Sequence, residues 1–139
     1  MWYAQGLNFQ CTACGACCSG AGIVRMSVKD ILLLAKHLNL SEQDFVHTYL
    51  DRKAGSWVLE QDAQNGDCVF LQDHRCTVYE ARPTQCRTFP WWPTLLQSAE
   101  RWRDTARLCE GIDVHPTTHH SWQEIQEVLR IEKADRKQR

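Results

Sequence analysis

The sequence predicts one small domain of the α+β class, built from helices, short strands and irregular loops. In three segments apolar residues recur at helical spacing, and each segment follows a serine, a preferred N-terminal cap. Between these segments lie short runs of β-branched and aromatic residues, bounded by turn residues, which predict strands. The chain has 139 residues, 43% of them hydrophobic and 24% charged, so we expect a single folded domain over residues 1–139.

The first segment, Met1 to Gly22, combines closely spaced cysteines with glycines and other small residues. It shows neither the alternation of a strand nor the apolar stripe of a helix. Glycines allow the backbone to turn tightly and to approach a bound group closely. We therefore predict that this segment is a ligand-binding loop.

Two helices are predicted to follow this loop. One begins after Ser27, with Asp30 three residues later, and the other begins in the same way with Ser41 and Asp44. Their apolar faces consist of Ile31, Leu34, Ala35 and Leu38, and of Phe45, Val46, Tyr49 and Leu50. Helix pairs of this kind also occur in DNA-binding proteins, but acidic residues here lie where phosphates would approach, which disfavours DNA recognition.

Three short strands are predicted in the middle of the chain, at Trp57–Glu60, Cys68–Leu71 and Cys76–Tyr79. Turns are predicted between them at Asn65–Asp67 and Gln72–His74. The three strands are expected to form a small hairpin or a three-stranded meander.

The last third of the chain is predicted to be largely helical. Tyr79–Arg82 begins a helical turn, and Thr94–Arg107 is partly helical. A final helix is expected over about residues 121–135, because Ser121 and Glu124 have the spacing of a capping box. The tail from Arg130 onwards is expected to be a fraying, solvated helix end.

Charge and hydropathy disfavour two classes of function. The net charge of −1 disfavours a dedicated nucleic-acid binder, and the longest apolar run, Ile31–Ala35, is far too short to span a membrane. Residues Met1–Gln10 do not resemble a secretory leader. We therefore expect a cytoplasmic protein. A partner protein is compatible with these observations, whereas a nucleic-acid partner is disfavoured.

Eight cysteines are the unusual feature of the composition. In a reducing compartment, clustered cysteines hold metals or take part in redox chemistry more often than they form disulfides, which remain the alternative. The candidate metal ligands are Cys11, Cys14, Cys17, Cys18, Cys68, Cys76, Cys86 and Cys109. Eight thiolates are enough for two four-cysteine sites or for one larger cluster.

The spacing of the cysteines bears on the metal. Cys11, Cys14 and Cys17 are spaced like the first three ligands of a bacterial ferredoxin loop, but the fourth cysteine, Cys18, follows directly. Adjacent cysteines point apart, so Cys17 and Cys18 are expected to serve two metals or one polynuclear cluster. Thiolates select zinc, iron–sulfur clusters or Cu(I) and exclude calcium and magnesium. The sequence slightly favours iron over zinc.

Several neighbouring residues are candidates for a supporting role. Arg82, Arg87 and Tyr79 would offset or hydrogen-bond clustered thiolates, although each arginine is also explained by a surface salt bridge. His74 is a candidate ninth ligand, whereas an ordinary loop accounts for His119 and His120. The pair Trp91 and Trp92 is interpreted as core or as the roof of a metal site rather than as a base-stacking platform.

Several cysteine-containing motifs together resemble the CxxCxxCC zinc- or iron-chelating domain, the family of YkgJ-type cysteine-cluster proteins. The matching segments are Phe9–Cys18, Cys68–Leu71, Cys76–Tyr79, Arg82–Pro90 and Cys109–Ile112. They span about residues 9–112 and keep all eight cysteines in order. The resemblance implies an eight-cysteine metal site, and the same domain occurs in proteins similar to flagellin lysine N-methylases. Glu110 stands where the family often has proline.

The sequence therefore predicts a metal-binding protein whose iron–sulfur or zinc centre serves electron transfer, redox or metal sensing, or a partner enzyme. One alternative is a small metalloenzyme or a component of a modification enzyme, although no catalytic motif is present. The other is a structural zinc adaptor for protein or RNA.

Overall fold

The structure of the chain is a computed structural model that describes residues 1–12, 15, 23–113 and 118–139. This part of the chain contains five α-helices, one 3₁₀ helix and seven short antiparallel strands, so the predicted α+β class is confirmed. None of its helices is long and apolar enough to cross a membrane.

Helices α1 (Val28–His37) and α2 (Glu42–Tyr49) form a pair that begins as the sequence predicts. The Ser27 hydroxyl accepts a hydrogen bond from the backbone N–H of Asp30, and the Ser41 hydroxyl accepts one from Asp44. These bonds satisfy N–H groups that have no partner within the helix. The two apolar faces pack against each other and against the neighbouring sheet.

A three-stranded sheet lies beside this pair, in the order β2 (Arg25–Met26), β4 (Ser56–Leu59), β3 (Leu50–Lys53). Strand β3 was not expected, because the apolar face of α2 continues into Leu50. The turn at Ala54 and Gly55, with φ angles of 51° and 82°, is a two-residue hairpin turn that joins β3 to β4.

The predicted meander is therefore wrong in its pairing. The Trp57–Glu60 segment pairs with β2 on one side and, through the two-residue turn, with β3 on the other. A single bridge between Gln61 and Cys68 links it to the next predicted strand. Strands β5 (Leu71–Gln72) and β6 (Arg75–Cys76) form their own hairpin. Its turn residues, Asp73 and His74, have φ angles of 50° and 63°, so the predicted turn is confirmed.

The second half contains the expected helices and two further elements. A 3₁₀ helix covers Tyr79–Ala81, α4 covers Ala99–Ala106, and α5 covers Trp122–Arg136 behind the predicted capping box. The sequence does not predict α3 (Thr84–Thr88), which follows Pro83. The sequence also predicts a loop at His119 and His120, but these residues form strand β7 against β1 (Leu7–Asn8). The local pattern does not indicate this strand, because its partner is distant in sequence.

Two apolar clusters make up the core. The first, which we call the helix-pair core, includes Leu34, Phe45 and Leu59 and lies between the α1–α2 pair and the sheet. The second, the tryptophan core, is centred on Trp91 and Trp102, whose rings stack with centroids 5.4 Å apart. Trp91 is 4% exposed, which confirms its interpretation as a core residue.

The tail differs from the expected solvated end. Arg139 folds back onto α5, where its side chain is 5% exposed and forms ion pairs with Glu132 at 2.6 Å and Asp135 at 2.7 Å. Glu132 also accepts a hydrogen bond from the Thr88 hydroxyl on α3. Burial lowers the pKa of Arg139, but the hydrogen bonds to Glu132 and Asp135 outweigh it and raise that pKa above its usual value. Paired charge therefore anchors this end of the chain.

Candidate metal centre

A cavity of about 60 Å³ lies where the two cores meet, and we call it the cysteine cavity. Its walls include Leu59, Phe70 and Val78 from the helix-pair side and Phe9 and Phe89 from the tryptophan side. All five predicted cysteine ligands that the structure describes border it: Cys11, Cys68, Cys76, Cys86 and Cys109. The other three, Cys14, Cys17 and Cys18, lie outside the described residues.

Backbone pairing brings the segments that carry Cys11 and Cys109 together. Phe9 and Ile112 form an antiparallel bridge, and the N–H of Gln10 donates to the carbonyl of Gly111 at 3.0 Å. A Cβ atom on residue 111 would lie only 2.2 Å from the Gln10 carbonyl oxygen. Glycine at this position therefore permits an approach that any side chain would prevent.

A side-chain hydrogen bond joins the same two segments. The Thr12 hydroxyl donates to Oε1 of Glu110 at 2.5 Å, although the two residues are 98 positions apart. The carboxylate of Glu110 supplies the acceptor of this bond. This contact thus links the segment that follows Cys11 to the segment that follows Cys109.

The β5–β6 hairpin places Cys76, and the bridge to Gln61 places Cys68. Both cysteines pack against the helix-pair core. The N–H and hydroxyl of Thr77 donate to the carbonyl of Phe70 at 2.8 and 2.9 Å, which fixes the strand next to Cys76.

Gly15 connects the cysteine-rich N-terminal segment to this hairpin. Its φ angle is +80°, and a Cβ atom at this position would lie 2.3 Å from the carbonyl oxygen of His74. Both the left-handed conformation and the close approach require glycine. Gly15 therefore lies against the hairpin, as Gln10 lies against Gly111.

Cys86 lies on the short helix α3, which α1 anchors. One carboxylate oxygen of Asp30 accepts hydrogen bonds from the N–H of Thr84 at 3.0 Å and from its hydroxyl at 2.8 Å. Asp30 is 1% exposed, and its Oδ2 atom has no partner among the described residues. An N-terminal capping contact from a distant helix thus fixes the turn that carries Cys86.

Arg82 is the only Lys, Arg, Asp or Glu side chain among the described residues that border the cavity. Its guanidinium lies 3.8 Å from the centre of the Tyr79 ring, and its Nε donates to the Tyr79 carbonyl at 2.9 Å. Tyr79 also borders the cavity, as expected for a residue that supports the thiols. Arg87 is not part of the lining, and it donates instead to Thr84 and to the carbonyl of Arg82.

The described histidines lie apart from this cavity. The side chain of His74 is exposed and does not border it. His119 hydrogen-bonds to the side chain of Asn8 at 2.9 Å, and His120 to the carbonyl of Phe9 at 2.8 Å. The ring nitrogens that form these bonds hold the β1–β7 pair together.

The donor chemistry of the cavity fits a thiophilic metal. The lining combines thiols from separate segments with mainly apolar side chains, and no described carboxylate belongs to it. Thiols without carboxylates favour soft or borderline metals. Within residues 1–12, 15, 23–113 and 118–139, no three His, Cys, Asp or Glu side chains lie close enough together to hold a metal ion.

Some residues that shape this site are not predicted by the sequence pattern. Gly111, Glu110 and Asp30 act through partners at distant positions in the chain, and no local pattern identifies them. Gly15 belongs to a glycine-rich loop that was recognised, but its contact with the hairpin was not.

Comparison with known proteins gives three further findings. The "Uncharacterized protein MJ0661" of Methanocaldococcus jannaschii is 28% identical to this chain over 91 residues, which cover 64% of this chain and 48% of that protein. The chain thus spans about half the length of this relative. No solved structure matches this chain at a significant level. The family described as "CxxCxxCC: Putative zinc- or iron-chelating domain" matches residues 10–110, and this chain belongs to that family.

Proposed function

We propose that this protein binds iron, as an iron–sulfur cluster, in the cysteine cavity and uses it for electron transfer or redox sensing. One observation carries the proposal: all five described cysteines, which come from separate segments of the chain, border the same cavity. Membership of a family of zinc- or iron-chelating domains supports metal binding in general. Zinc in the same thiolate set is the alternative.

The proposed ligand set is Cys11, Cys14, Cys17, Cys18, Cys68, Cys76, Cys86 and Cys109. For Cys14, Cys17 and Cys18 the support is the spacing in the sequence alone. The adjacent pair Cys17 and Cys18 favours a polynuclear centre over one tetrahedral ion, because adjacent cysteines point apart. The other cysteines, Cys68, Cys76, Cys86 and Cys109, contain no pair at CxxC spacing. Zinc sites commonly use such pairs, so their absence here also favours iron.

The size of the cavity favours a held centre over a substrate pocket. Pockets for small organic ligands have volumes of about 300–1,000 Å³, several times the volume of this cavity. This supports a role in electron transfer, in sensing or beside a partner enzyme more than it supports a small metalloenzyme. Thiolate ligands must also stay reduced, which agrees with a cytoplasmic location.

The experiment that tests this function is metal and sulfide analysis of protein purified without oxygen. We expect iron, acid-labile sulfide and a brown colour. Colourless protein with about two zinc ions per chain would overturn the iron assignment and indicate a structural scaffold. Metal-free protein with its cysteines in disulfides would contradict metal binding altogether.

A further inference from the structure

A second cavity, of about 500 Å³, lies on the other side of α3, and we call it the arginine cavity. Arg25 on β2, Gln85 on α3, Trp92, and Glu132, Arg136 and Arg139 of the α5 region border it. Gln85 and Cys86 are neighbours on α3, so this helix separates the arginine cavity from the cysteine cavity. Its volume lies within the range of small-molecule pockets.

The floor of this cavity is built from hydrogen-bonded side chains. The Gln85 amide accepts from the N–H of Arg25 at 3.1 Å and donates to the carbonyl of Ile23 at 2.8 Å. The indole N–H of Trp92 donates to the Gln85 carbonyl and to the Thr88 hydroxyl. Side chains held in this way keep their positions before any ligand arrives, which lowers the cost of binding.

The charges of the lining are unequal. Three arginines face one glutamate, in a chain whose net charge is −1. Arg139 is already neutralised by Glu132 and Asp135. Arg25 and Arg136 are exposed, and neither forms an ion pair with any described carboxylate. Two positive charges therefore border the same cavity without compensation.

We propose that the arginine cavity binds a small phosphate monoester, with Arg25 and Arg136 holding the phosphate. Guanidinium groups pair with phosphate through two parallel hydrogen bonds. A phosphate monoester carries close to two negative charges at neutral pH, which matches two uncompensated arginines better than a single carboxylate would. Trp92 and Pro93 supply an apolar wall for the organic part of the ligand. The site goes beyond the proposed metal centre and needs none of its cysteines.

The test is a calorimetric titration of the metal-loaded full chain with phenyl phosphate, at low ionic strength in a phosphate-free buffer. We expect saturable binding of one molecule per chain. The double variant Arg25→Gln/Arg136→Gln should weaken binding at least tenfold. The matched control is Arg101→Gln/Arg103→Gln, which removes two exposed positive charges from α4, away from the cavity, and should leave the affinity unchanged.

Metal content and the melting temperature of each variant are measured first, so that a folding defect is recognised. All four side chains are exposed, so both double variants should retain the fold. Absence of saturable binding to the wild-type chain would overturn the proposal. Equal weakening in the two double variants would also overturn it, because it would indicate attraction to net charge alone.

Discussion

Gly15 and Gly55 both have φ angles near +80°, yet only one of them touches another part of the chain. A Cβ atom on Gly55 would meet nothing within 4 Å, whereas one on Gly15 would strike the His74 carbonyl. The two glycines therefore separate the cost of a left-handed backbone from the cost of disturbing the cysteine segment.

We expect Gly55→Ala to cost about 1 kcal/mol through backbone strain alone. Gly15→Ala should cost about 2 kcal/mol more, because the hairpin must move away from the N-terminal segment. It should also reduce the metal retained after purification. Urea unfolding and metal analysis of both variants test this prediction. Equal losses of stability with unchanged metal content would show that the contact between Gly15 and His74 does not support the metal site.

Arg82 is the residue from which we expect an electrostatic effect on the proposed centre. Replacing it with Gln removes a positive charge from the border of the cysteine cavity, so metal release to a chelator should accelerate about tenfold, the change that about 1.4 kcal/mol produces. Arg75→Gln is the control, because Arg75 is exposed next to Cys76 but does not border the cavity. Similar release rates in the two variants would show that Arg82 has no specific role.

At the scale of elements, α3 has only five residues and depends on a contact from α1. Asp30→Ala removes the acceptor for both Thr84 donors, so we expect a loss of about 2 kcal/mol in unfolding free energy. Asp30→Asn keeps an acceptor oxygen and should lose less. Thermal unfolding of these variants, with the exposed Asp44→Ala as control, checks the prediction, which fails if Asn and Ala are equally destabilising.

The elements that could be predicted from the sequence are those with local causes. Helices α1, α2 and α5 each begin at a serine whose side chain bonds to a residue three positions later. The Asp73–His74 turn is local in the same sense. In contrast, β7 exists because His119 and His120 pair with residues 111 or more positions away, and two residues are too few for a visible alternation.

At the scale of the whole molecule, the cysteine cavity lies between the two apolar cores, so a metal bound there would tie both cores together. Ligand binding energy in such a site is also folding energy. Removing the metal with a chelator should therefore loosen the tryptophan core as well as the cysteine segments.

Two of the six tryptophans, Trp91 and Trp102, are buried in that core, so their contribution to the emission reports on it. We expect a red shift on metal removal and a loss of several kcal/mol in unfolding free energy. Readdition of the metal under reducing conditions should restore both. A metal-free chain with unchanged tryptophan emission and unchanged stability would show that the cores are independent of the centre.

The site itself was only partly predictable. The proposed cysteine ligands follow from residue type, spacing and family resemblance, and Arg82 and Tyr79 follow from their positions near those cysteines. The position of the cavity between two cores does not, because it depends on which apolar faces pack together. The burial of Glu132 and Arg139 was missed for the same reason, since a polar helix end normally remains in water.

In the proposed centre, thiolates from segments far apart in the sequence hold one metal centre. X-ray absorption at the edge of the bound metal, on protein purified without oxygen, tests it most directly because the spectrum reports the ligand atoms for iron and zinc alike. We predict a first coordination shell made of sulfur only, at about 2.3 Å if the metal is zinc. A shell dominated by nitrogen or oxygen would contradict the account.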